Sequence, residues 1–507
     1  MIHDALHLPD DVELSADLCV VGSGAGGAMA AMVAAEAGLR VVLLEAGGFF
    51  APEDMTQREE AMLPQLYWDG GARQSRDRGV RIHQGKGIGG STLHNLNLCK
   101  RISPSILTAW QQDRGMRHLP PATWDRLYTE VEALLEVGPV PRAQWNRHNL
   151  LLEAGCRALG WQGGGLAHNR SGCVGSGFCE IGCSYDAKNN AAKVLIPRIV
   201  RARADVLAHC QAVRVEHDGR RVLGVQARAI DPDGMQPRGH VRVHAPRICV
   251  AGSATGTPAL LLRSDVPDPS QTTGRGLRVH PAVVAAGDFP DPVQAWQGIP
   301  QTYECTEFLH LDGRKDAGRI WIVPAFGHPM GTATMLPGDG ALHRSFMSRY
   351  AHMGVLTAML HDETAGTVTP NGDFGLTIDY VPNAADRAEL GRGLRACARL
   401  LFAAGATRVC IPTPTPIVLE NPNEIGRLDG LLPGPGLLGL TAVHPMASVP
   451  MGDDPKTAAV DSQGRHHHLA GLWLADGSLF PTSIGVPPQL SIYALGLHVG
   501  RALVKAG

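Results

Sequence analysis

Three groups of residues in this chain have the types and spacing for chemistry. The first is Gly22-Ser23-Gly24-Ala25-Gly26-Gly27, a G-x-G-x-x-G turn in which Gly22, Gly24, Ala25 and Gly27 bring backbone N–H groups up to a pyrophosphate. Glu45 lies at the distance from this turn at which a carboxylate accepts from a ribose 2′-OH, which favours FAD or NAD over NADP. The second group is Gly85 to Asn95, where Gly87, Gly89 and Gly90 let backbone N–H groups approach a phosphate or a cofactor ring without a Cβ clash. His94 and the side-chain amide of Asn95 end that loop. The third is Cys173, Cys179 and Cys183, spaced C-x5-C-x3-C and close enough in sequence for three thiolates to converge on one centre. The run His466-His467-His468 is read as strand and turn, because adjacent strand residues face opposite ways and do not share one metal ion.

The elements around these groups follow from pattern. Leu18 to Val21 is a continuous apolar run of the kind buried in a parallel sheet, Ala28 to Ala37 an alanine-rich helix, and Arg40 to Leu44 a second strand ending on Glu45. Strand, glycine turn, helix and strand in that order place the phosphates at the helix N-terminus. Residues 49–81 show no clear period and read as an excursion over the surface. Trp124 to Leu135 and Asn190 to Arg203 have helical spacing, and a strand follows near Asp205. Ala212 to Val215, Val222 to Ala229 and Val241 to Val243 read as an antiparallel meander, with Asp218-Gly219 and Pro232 to Gly234 as its turns. Beyond Gly287 the pattern changes to alternating runs such as Arg319 to Phe326, which predict a mixed sheet. The arginine-rich helix Asp386 to Gly405 crosses it with a solvated face.

The chain is long enough for two domains with large cores. Its 46 basic and 48 acidic residues balance, so no nucleic-acid partner is implied. The opening residues carry no secretory pattern and no apolar run is long enough to span a membrane, so the expected location is cytoplasmic, with free thiols.

Four ordered segments resemble the glucose–methanol–choline oxidoreductase family, FAD flavoproteins that mostly oxidise alcohols. They are the glycine turn, the loop Gly85 to Asn95, GSATGTPALLLRS from Gly252, and the tail from His444 through LWLADGSLFPTSIGVPPQLSIYALG. The resemblance implies an α/β architecture: a Rossmann-type FAD-binding domain with a substrate domain built on a mixed or antiparallel sheet. The FAD domain is expected over 1–110, 186–286 and 430–507, and the substrate or cap domain over 111–185 and 287–429. The implied reaction is hydride transfer from a CH–OH group to flavin N5, with His444 as general base. Asp476 and Gly477 resemble a second flavin contact. In members whose loop ends in His-Asn the histidine can be bonded covalently to the flavin, which leaves that link open for His94, with a hydrogen-bonded or packed histidine as the alternative. The family's second catalytic residue, Asn or His, precedes a proline; here Pro487 stands in its place, and Gln489 is the nearest amide. Some members hold a [3Fe–4S] cluster on the C-x5-C-x3-C spacing, with a disulfide or plain structural thiols as the alternatives. The expected partners are a small or apolar alcohol and oxygen, a quinone or a protein as electron acceptor. A flavoprotein lyase or decarboxylase of the same fold is the alternative that Pro487 keeps open, and a non-catalytic electron-relay subunit is a third reading.

Overall fold

The computed structural model describes residues 1–232, 237–312, 318–325, 327–336 and 338–506. Leu18–Val21 is fully buried at the centre of a six-stranded sheet. Its neighbours are Val41–Leu44 on one side and Ile248–Val250 on the other, followed outward by Asp205–Ala208 and Ile2–Asp4, and by Leu472–Leu474. Every pairing in this sheet is parallel, as continuous apolar strands covered on both faces require. The strands come from both ends and the middle of the chain, so the nucleotide-side unit is discontinuous.

The first helix, Ala25–Glu36, buries nearly its whole circumference. It achieves this with small residues, which let the C-terminal helix Gln489–Lys505 lie directly on it. A Cβ on Gly496 would stand 2.5 Å from the Gly26 carbonyl oxygen, and one on Gly26 would collide with the Ala475 carbonyl. Residues 111–135, placed with the cap by sequence, supply Trp124, Leu127 and Val131 to this same core. The helix there is Pro121–Leu134, and the Tyr128 hydroxyl meets Ser491 of the C-terminal helix at 2.8 Å.

The stretch from 49 to 81 contains a helix, Glu59–Leu66, and a strand, Val80–Ile82. The helix is eight residues long, holds Pro64 inside, and buries only Met62 and Leu66, too little for a readable period. Asn190 to Arg203 is two short helices, Ala191–Val194 and Ile196–Arg201, because Pro197 restarts the turn. The meander is present as Cys210–His217, Val222–Ile230 and Pro237–His244, and Asp11–Ser15 adds a parallel fourth strand. The turn expected at Pro232 to Gly234 and the end of the run at Phe326 lie outside the described residues.

The second unit is a nine-stranded, mainly antiparallel sheet. Met353–Leu360 pairs with Ala282–Asp288 on one side and Ile320–Pro324 on the other; Leu440–Ala442 joins the N-terminal end of Ala282–Asp288 and brings Val80–Ile82 beside it. One face, with Val283, Ala285, Leu356 and Ala358, packs in the same core as Leu394 and Cys397 of the helix Ala384–Ala403. The arginine face of that helix is partly covered: Arg387 donates to the carbonyls of Leu432 and Pro433, and Arg395 to that of Leu428. The other face of the sheet is the floor of a cavity.

Candidate active site

A cavity of about 730 Å³ runs from the first glycine turn, across the second glycine loop, to the sheet of the second unit. Glu45 ties the two loops together. Its Oε2 accepts from the Ser23 backbone N–H at 3.0 Å and hydroxyl at 2.6 Å; its Oε1 accepts from the N–H groups of Gly47 at 3.0 Å and Gly87 at 3.2 Å. Ser23 Oγ in turn accepts from Gly89 N–H at 3.0 Å. The loops therefore approach until a Cβ on Gly90 would stand 2.8 Å from Gly24 Cα. Asp476, at the end of the strand Leu472–Leu474, is buried and accepts from Ser478 N–H at 2.8 Å and Thr257 Oγ1 at 2.5 Å. Burial pushes its carboxyl upward. Gly22, Gly24, Ala25, Gly90, Asp476 and Gly477 all line the cavity. Glycine-lined walls at a helix N-terminus fit the pyrophosphate of FAD.

His94 ends the short helical turn Gly90–Leu93 and stacks on Tyr67, with centroids 3.9 Å apart. Burial holds its imidazole neutral, far below the ordinary histidine range. Its Nε2 is buried without a hydrogen bond and faces Gly85, where a Cβ would stand 2.4 Å away. Tyr67 is fixed by its hydroxyl, which donates to the Glu180 carbonyl at 2.6 Å. Asn95 donates its amide to Gln489 Oε1 at 2.7 Å. Gln489 Nε2 donates to the Leu98 carbonyl at 2.8 Å and Asn169 Oδ1 at 3.2 Å. That amide is committed to holding Asn95, and no hydrogen bond joins it to His444 among the described residues.

His444 follows the strand Leu440–Ala442 and lines the cavity. Its partner is His280, which the sequence reading did not single out. The two Nδ1 atoms are 3.1 Å apart and the rings perpendicular. Behind His280, the Gly485 N–H donates to its Nε2 at 3.0 Å. A backbone N–H can only donate, so neutral His280 carries its proton on Nδ1 and donates it to His444 Nδ1. Burial presses both imidazoles toward neutrality, His444 down to about 3. His280 also sits at φ +49, a left-handed conformation that non-glycine residues seldom adopt. Its one sequence signal is His280-Pro281, the same dipeptide as His444-Pro445. Pro487 lines the cavity nearby.

The cluster that the cysteine spacing left open is not supported. Among the described residues no three histidine, cysteine or acidic side chains are grouped to hold a metal ion. Cys173 Sγ accepts from Arg170 at 3.5 Å and from Gly175 N–H at 3.4 Å, and all three thiols are free. His466 and His467 are structural as expected: His466 Nδ1 accepts from two backbone N–H groups, and His467 Nε2 bonds the Gly452 carbonyl.

The chamber beyond His444 is built by strand alternation. Val284 and Ala286, Met353, Val355, Thr357 and Met359, and Trp321 all rise from one sheet face into it. The short helix Pro329–Met335 roofs it with Met330 and Met335. Glu59, from the helix Glu59–Leu66, accepts the N–H groups of Met330 at 2.7 Å and Gly331 at 2.8 Å, and so clamps that roof.

This combination of a parallel nucleotide sheet, paired glycine loops and a sheet-floored chamber defines a flavin-dependent oxidoreductase fold. Family models described as GMC oxidoreductase match residues 63–282 and 363–496. The chain is 34% identical over 497 residues to an uncharacterised GMC-type oxidoreductase of Mycobacterium tuberculosis, covering 96% of this chain and 76% of that one. A long-chain-alcohol oxidase of Arabidopsis thaliana is 27% identical over 527 residues, covering 98% and 69%. In fold the chain is similar to pyridoxine 4-oxidase of Mesorbium loti, with TM-score 0.73 at 20% identity over 96% of this chain and 98% of that one. The chain belongs to the GMC oxidoreductase family, whose cofactor is FAD. No helix among the described residues is long and apolar enough to cross a membrane.

Proposed function

We propose that this protein oxidises the CH–OH group of a small or apolar alcohol, with His444 handling the hydroxyl proton. The observation that carries the reading is the His280–His444 pair, whose His444 lines the cavity that runs from the glycine loops to the apolar sheet face. The long-chain-alcohol and pyridoxine oxidases among the similar proteins agree with a CH–OH donor. FAD, when bound, supplies the two-electron acceptor.

The chain's own part is proton handling. The Gly485 contact leaves resting His444 with its proton on Nε2, the nitrogen not used by His280. Taking up the substrate proton at Nε2 requires the other arrangement. There His444 donates from Nδ1, and His280 holds its proton on Nε2 against the Gly485 N–H. Giving up that contact costs about 1–3 kcal/mol. His280 is thus a positioning residue that sets which nitrogen of His444 is basic.

Anaerobic mixing with a panel of alcohols tests the reading. Bleaching of the flavin absorbance is expected, and no bleaching with any alcohol overturns it. A proline at position 487 favours a second reading, cleavage of a C–C bond on the same fold; product formation without net flavin reduction would select it. Re-oxidation with oxygen, a quinone and a protein acceptor in parallel identifies the acceptor. Because Nε2 of His94 faces Gly85, we propose that FAD is held without a covalent bond. Acid precipitation is then expected to release a yellow supernatant, and a yellow pellet would overturn this.

A further inference from the structure

The chamber floor is apolar at its centre and positively charged at one edge. The edge strand Val80–Ile82 pairs in parallel with Leu440–Ala442, Arg81 lying opposite Thr441. Alternation puts Arg81 and His83 on the cavity face beside Thr441 and Val443, and all four line the chamber. Arg81 is exposed, and its side chain has no hydrogen bond or carboxylate partner among the described residues. Its charge reaches His83, whose pKa is lowered to about 4 by burial and then by Arg81.

Two further guanidinium groups line the same lobe. Arg263 donates to the carbonyls of Gly372 and Gly375, at 3.0 and 2.9 Å, and among the described residues forms no ion pair, Asp373 acting on it from further off. Arg73 is deeply buried, paired with Asp69 at 2.9 Å and bonded to Gln84. Of the other carboxyl groups in the lining, Glu45 and Asp476 accept at the nucleotide loops, Glu59 accepts on the roof helix, and burial pushes the Glu180 carboxyl up to about 8. The lobe beside the edge strand therefore carries the charge of Arg81, which no ion pair among the described residues answers. An arginine in an otherwise apolar chamber is suited to a planar anion that accepts two parallel N–H bonds.

We infer that this lobe binds a carboxylate carried on the substrate, so that the preferred alcohols are ω-hydroxycarboxylates with an aliphatic chain between the two groups. The inference rests on the alcohol-oxidising reading of the site. His444 lies three residues beyond the partner of Arg81, on the order of 10 Å along the strand direction. The aliphatic span then lies on the sheet face, where Val284 and Thr357 face the cavity.

The test uses the purified FAD-loaded enzyme. Anaerobic flavin reduction is compared for ω-hydroxycarboxylates from hydroxybutanoate to hydroxydodecanoate, their methyl esters, and alkanols of matching length. Binding of octanoate, which has no carbinol, is read separately from the flavin absorbance spectrum and its ionic-strength dependence. The free acids are expected to exceed their esters in kcat/KM, and Arg81→Met is expected to lower the acid-to-alkanol ratio roughly tenfold. Arg81→Lys is expected to recover part of it. Equal rates for acid and ester, or a ratio unmoved by Arg81→Met, would overturn the inference. Loss of FAD from Arg81→Met would also overturn it, by assigning Arg81 to the cofactor. If no alcohol reduces the flavin but octanoate still binds through Arg81, the oxidation reading fails and the anion site stands.

Discussion

At the residue scale the site turns on which atoms carry protons. His444 is depressed to about 3 by burial, so it stays neutral well below the ordinary histidine value of 6.5. The acid limb of kcat/KM is therefore expected below pH 6.5, and a limb centred there would show that His444 is solvated during turnover. His444→Ala is expected to lower the rate of alcohol-dependent flavin reduction by roughly a hundredfold or more. His280→Ala should act differently: kcat falls about tenfold or more while KM moves little, because the variant lacks the acceptor for the Nδ1–H that His444 carries when it takes up the substrate proton at Nε2. Rapid-reaction flavin reduction separates the two parameters. His444 was legible in the sequence through the motif around it. His280 was not, because its role depends on a contact 164 residues away in the chain.

At the element scale the two glycine loops are held by one carboxylate together with the direct bond from Gly89 N–H to Ser23 Oγ. Glu45→Ala strands the N–H groups of Ser23, Gly47 and Gly87 in a buried setting, at about 1–3 kcal/mol for each donor left unpaired. A lower Tm and faster loss of FAD on gel filtration are expected; a variant that kept both would show that the loops need no such tie. The crossing of the first and last helices makes an independent prediction. Gly496→Val places a side chain against the Gly26 carbonyl and is expected to cost about 1–3 kcal/mol by overpacking. The sequence displayed the first strand, helix and strand clearly because each strand is uniformly apolar and the helix between them is a run of small residues bounded by glycines. It hid the helix Glu59–Leu66, whose brevity and internal proline erase the period, although Glu59 clamps the chamber roof.

At the scale of the whole molecule, buried neutral histidines set the response to acid. His83, His148, His328, His361, His466 and His498 are lowered to about 4 and His444 to about 3, in each case chiefly by burial. In the unfolded chain these groups bind protons near pH 6.5, so between 6.5 and about 4 the unfolded state binds more protons than the folded one. Stability is therefore greatest above pH 6.5 and falls as pH drops through it. Thermal unfolding at saturating FAD across that range checks this; a Tm that held steady or rose toward pH 4 would contradict it.

By itself the sequence determined the local chemistry: a phosphate-binding turn, a second glycine loop, a buried parallel sheet, and a histidine beside a proline in a motif-bearing tail. These are properties of short runs, in which residue type and spacing act through backbone conformation and periodicity. Only the tertiary structure decided how those runs serve one another. It paired His280 with His444, committed Gln489 to Asn95, engaged Glu45 with both loops, and left the three cysteines without a metal-binding arrangement. It also turned alternate residues of separate strands into a single floor with Arg81 at its edge. Contacts between distant segments fix hydrogen-bond partners, burial and proton positions, and none of these is written in local spacing.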